Sequence, residues 1–174
     1  MKKTTIMTVM LVLTAETAFA QNPASDAVRS SWNGVKLNIK ESAEQMPEAN
    51  YGFKPTKDVR SFGEILAHVA GASYVFCASA KNEKSPFDED AFEKTAKTKA
   101  DIVKATSDAI AYCDGAFTAL TDANAGAMVH GAFGPDQATR ISSLVGQIGH
   151  DNEHYGNLVT YFRLKELVPP SSRR

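Results

Sequence analysis

Apolar residues recur at helical spacing in four separate stretches of this chain, and no other feature restricts its fold so tightly. The last stretch is the clearest. Ile141, Leu144, Val145, Ile148, Tyr155, Leu158, Val159 and Phe162 form one stripe, the pattern of a helix with a single buried face. The spacing predicts a helix from about Ala138 to Leu167, stopped by Pro169-Pro170. An earlier helix is predicted over Ser25 to Met46, with Val28, Trp32, Val35, Leu37, Ile39 and Met46 inside it, Ser25 or Asp26 as cap and Pro47 as stop. Ser61-Phe62-Gly63-Glu64 has capping-box spacing. It opens a helix reaching Ala80, with Phe62, Ile65, Leu66, Val69 and Phe76 as its stripe. Thr98 to Leu120 is the remaining helix, built on Ile102, Val103, Ala109, Ile110, Phe117 and Leu120. The connections Glu48–Asp58, Lys81–Phe92 and Thr121–Gln137 read as loops, the last with a short extended piece at Ala127–His130. No run alternates as a sheet strand would. The expectation is an all-α four-helix bundle with long crossover loops.

Two histidines stand four apart in the last helix, His150 and His154. That spacing places them one turn apart on the same side. They lie off the main stripe, on a face shared with Ser143, Gly146, Gln147, Asn157 and Tyr161. His68 falls beside the stripe of its own helix, with Gly71 on the same side to leave room near the imidazole. Three neutral imidazoles and one open position can hold a reactive divalent metal. On spacing alone, three separately hydrogen-bonded histidines fit equally well. His130 has no ligand partner at helical spacing and reads as a loop residue.

The chain starts with Lys2 and Lys3, an apolar run Ile6 to Thr14, and Ala18-Phe19-Ala20. These have the order of a secretory signal peptide, predicting residues 1–20 as a leader cleaved before Gln21. The mature domain would then cover 21–174 and lie in the periplasm or outside a bacterial cell, without a membrane span. Net charge is −1 and no basic block stands out, so nucleic acid is not an expected partner. Cys77 and Cys113 are the two cysteines. In an oxidising compartment an even pair reads as one disulfide, the alternative being two buried thiols on different helices. There is no C-x-x-C.

Three segments resemble the DinB-like family of four-helix metalloproteins. They are Tyr51-Gly52-Phe53-Lys54-Pro55 followed by Arg60 to Ala70, His150 to Leu158, and Tyr161-Phe162-Arg163 leading to Val168-Pro169-Pro170. The resemblance implies a metal site of His68, His150 and His154, brought together because the second and fourth long helices are neighbours. It implies zinc or nickel, with water in the open position, and leaves room for a homodimer. Similar proteins commonly carry a basic residue and a glutamine after the last histidine. Tyr155, Gly156 and Asn157 stand there instead. Active members of the family use cytosolic low-molecular-weight thiols, which an exported chain would not meet. The metal site therefore carries over better than the reaction.

Three functions follow as expectations. One is a metal-dependent transferase or hydrolase that activates a thiol or water on an unknown small molecule. Glu153 and Asp151 would be its candidate bases, and Tyr161 and Gln147 its substrate contacts. A second is a non-catalytic metal- or ligand-binding bundle, favoured if Glu64 closes the site. The third is a metallopeptidase, since His150-x-x-Glu153-His154 matches H-x-x-E-H. Its third acidic ligand would have to be Glu166.

Overall fold

The computed structural model describes residues 22–134 and 136–173. The leader expected at 1–20 lies outside them. Four long helices make the body: α1 (Pro23–Gln45), α2 (Phe62–Lys81), α4 (Lys99–Ala119) and α5 (Arg140–Leu164). A five-residue helix, α3 (Ala91–Thr95), precedes α4. A short antiparallel ribbon of β1 (Met128–His130) and β2 (Gln137–Thr139) precedes α5.

Local chemistry sets the helix starts. Ser61 and Glu64 exchange hydrogen bonds at the head of α2, at 2.7 and 3.3 Å. Thr98 with Asp101 and Thr139 with Ser142 repeat the device at α4 and α5. At α1 the structure differs from expectation. The helix starts at Pro23, whose missing N–H costs nothing in a first turn. Ser25 is buried inside the helix, and its N–H and hydroxyl both donate to Asp122, at 2.8 and 2.7 Å. A side chain from beyond α4 thus satisfies the open end of α1.

The other departures lie in the connections. Part of the loop predicted before Thr98 is the helix α3. The predicted extended piece finds a strand partner in Gln137–Thr139, so α5 begins only at Arg140. The same helix stops at Leu164, three residues short of the predicted end. Glu166 takes a left-handed backbone (φ 58°) and the Leu167 N–H turns back to the Phe162 carbonyl.

Around the bundle the order is α1, α4, α2, α5. α2 packs chiefly on α4 and α5, and α1 packs on the same two helices from the far side. α2 is nearly buried all round. By length and composition it could cross a membrane, contrary to the expectation of no such span, but most of it lies inside the bundle as a core helix should. Trp32 stacks on Phe117 at 4.5 Å and donates its indole N–H to Asp114, joining α1 to α4. Phe62, Leu66, Leu144, Leu158 and Phe162 fill the centre with no exposure. A disulfide between Cys77 and Cys113 ties α2 to α4, with Cα atoms 5.3 Å apart.

Candidate metal centre

The packing of α2 against α5 brings His68 to the histidine pair. Ring centroids are 5.1 Å apart for His68 and His150, 4.9 Å for His68 and His154, and 4.5 Å for His150 and His154. One ring nitrogen from each lies within 4.8 Å of the other two. The Nε2 atoms of His68 and His150 are 3.2 Å apart. Two nitrogens each about 2.0–2.1 Å from a tetrahedral ion would be separated by about 3.3 Å. The Nδ1 atoms of all three rings are buried and make no hydrogen bond among the described residues. Buried imidazoles with so few hydrogen-bond partners are a donor set that fits a divalent ion. Burial, with Arg60 next, pushes His68 below the usual imidazole range, and burial, with His150 and His68 next, takes His154 down to about 4. Both rings therefore stay neutral, the form a metal requires.

Two of the three ligands have a carboxylate beside the far ring nitrogen. Nδ1 of His68 faces Oε1 of Glu93 at 3.3 Å and Oε1 of Glu89 at 3.5 Å, near but not aligned as hydrogen bonds. Carboxylates beside the far nitrogen of a liganding histidine fix its tautomer and orientation. The segment bearing them is laid directly on α2 at Gly71. A Cβ there would stand 1.9 Å from the Glu89 carbonyl oxygen. The room that Gly71 leaves is thus occupied by backbone. Nδ1 of His150 faces Oδ1 of Asp151 at 3.6 Å. Phe76 lies against the His150 ring, with Phe133 from the ribbon's turn packed on it. Gly146 leaves space for Phe76, since a Cβ would meet that ring at 3.0 Å.

The residues named as candidates from sequence separate clearly. Asp151 is buried, accepts from Gln147 at 2.9 Å, and burial raises its pKa. Gln147 is wholly buried and also donates to Ser73 at 2.8 Å. Its amide thus serves as an internal tie from α5 to α2. Tyr161 is buried and donates its hydroxyl to the Arg60 carbonyl. It lines a cavity of about 530 Å3 that opens beside His154. Glu64 does not close the site, because its carboxylate is held by the Ser61 N–H and by Lys54 at 2.8 Å. Glu153 is exposed, and Glu166 is exposed just beyond the end of α5. No carboxylate joins the histidine cluster among the described residues. The metallopeptidase reading thus lacks both its base and its acidic ligand. His130 is exposed on β1. Glu89, Glu93 and the covering role of Phe76 were missed in the sequence; the acidic run from Asp88 to Glu93 was the available signal.

A four-helix bundle with three histidines converging from α2 and α5 defines a class of helical proteins able to hold a metal between helices. Residues 38–158 match the model of the DinB superfamily, and the chain belongs to that superfamily. It is similar to a conserved protein from Enterococcus faecalis whose crystal structure aligns with a TM-score of 0.63 at 15% identity. The alignment covers 80% of this chain and 95% of that one. At that identity the likeness is one of fold. No curated protein sequence matches this chain.

Proposed function

We propose that this chain is an exported DinB-superfamily metalloprotein in which His68, His150 and His154 hold one zinc or nickel ion and leave a position open to the cavity. The convergence of the three rings carries this reading. A divalent ion held there would supply Lewis acidity, making a nucleophile of a thiol or water at neutral pH. The protein's part is to keep His68 and His154 neutral by burial, to set Glu93 and Glu89 beside His68 and Asp151 beside His150, and to shield the cluster with Phe76. Among the described residues no carboxylate joins the cluster, which supports an open site over a closed structural one with four protein ligands. The disulfide supports an oxidising compartment, and with it the leader at 1–20 and a mature domain over 21–174.

The test is elemental analysis of purified protein beside His68→Ala. The expected result is about one zinc or nickel per chain, lost in the variant. Metal retained without His68 would overturn the triad. So would a chain that takes up no metal after remetallation.

The pH dependence of binding has a definite sign. A lowered imidazole pKa means that protons compete with metal only at lower pH. The contribution of His68 and His154 to affinity should be flat from pH 8 to about 6.5 and then fall, steepening as His154 approaches its pKa of about 4. Chelator competition across this range measures it. Release already complete at about pH 6 would contradict the burial of these rings.

A further inference from the structure

The cavity beside His154 has two kinds of wall. Pro55, Val59 and Ile65 give it an apolar side. Arg60, Asn157 and Thr160 give it a polar one. Its volume lies within the roughly 300–1,000 Å3 typical of small-molecule sites. Arg60 is the cation of this wall, and it is held in place at both ends. Its carbonyl accepts from Tyr161, and its Nε and Nη2 grip Glu93 at 3.1 and 3.2 Å. Oε1 of Glu93 in turn stands beside His68. One carboxylate therefore separates the guanidinium from a ring of the metal cluster. The fork of Arg60 on Glu93 leaves Nη1 as the donor edge for a further acceptor. Asp58 is the carboxylate on this wall. It is exposed, so its charge is screened by solvent.

We propose that this cavity takes a small organic carboxylate, its head group placed between the open metal position and the Arg60 guanidinium and its apolar body along Pro55, Val59 and Ile65. The inference rests on the metal reading above and names the substrate class of that site. An anion there would meet the remaining donor edge of Arg60 and, with an ion bound, the metal at one end, and an apolar wall at the other. A neutral ligand of the same shape gains only the wall.

The test uses the full chain loaded with cobalt(II), titrated with hexanoate and with hexanamide and followed by the visible absorption of the ion and by calorimetry. Hexanoate should shift the cobalt bands and bind at least about tenfold more tightly than hexanamide, the difference expected when a charge-assisted contact is lost. Arg60→Gln should weaken hexanoate by about tenfold or more and leave hexanamide unchanged, while Arg60→Lys should recover most of the loss. Equal binding of the two probes by the unaltered protein would overturn the inference without recourse to any variant. Cobalt bands that hexanoate leaves unmoved would overturn it too, with the metal reading intact. Failure to bind cobalt at all would overturn the metal reading and this inference with it.

Discussion

Replacing Cys77 and Cys113 together by alanine will lower the unfolding free energy by about 2–5 kcal/mol, with the fold retained under mild conditions. The bond closes a loop of 36 residues between α2 and α4. In the chain-entropy account, a loop of this size restricts the unfolded chain by about 4 kcal/mol. The native side adds to the effect, since both sulfurs are fully buried among the core residues of α2 and α4. Chemical denaturation of the oxidised protein and the double variant gives the difference directly. A change below about 1 kcal/mol would mean that the pair adds little beyond filling space.

Gly71→Ala will lower both stability and metal affinity, and the two losses share one cause. The new methyl would stand 1.9 Å from the carbonyl oxygen of Glu89 and 2.7 Å from its carbonyl carbon. These are backbone atoms, which cannot rotate aside as a long side chain could. The segment must move off α2, at a cost of about 1–3 kcal/mol or more. Glu89 and Glu93 move with it, away from Nδ1 of His68. Loss of such orienting carboxylates typically weakens a metal site about 10- to 100-fold. Gly34→Ala is the control: it has open space around it within α1 and should gain up to about 1 kcal/mol from helix propensity. Thermal unfolding and chelator competition read the two effects. Unchanged values for Gly71→Ala would show that the Glu89 segment neither packs tightly on α2 nor orients His68.

What could be read in advance follows the range of the interactions. The long helices were legible because their stripes and capping residues are local, as at Ser61-x-x-Glu64 and Thr98-x-x-Asp101. The histidine pair was legible from its four-residue spacing. Glu93 was not, because nothing near it in sequence signals that α3 folds back over His68. Gln147 shares a helix face with the histidines, yet that face is partly core, and only the meeting with Ser73 across the interface decides its role. The cap of α1 was misread for the same reason, since Asp122 reaches it from nearly a hundred residues away.

The order of helices around the bundle bears on how the chain acquires its shape. α1 and α2 follow one another in sequence but sit at opposite corners. They cannot start folding as a helical hairpin. α1 has to wait with Trp32, Val35 and Ile39 unsheltered until α4, and then α5, exists to receive them. Such long-range closure slows folding relative to an up-and-down bundle of the same size. It leaves a chain still being made with a first helix whose one apolar face has no partner, the kind of surface a holding chaperone binds.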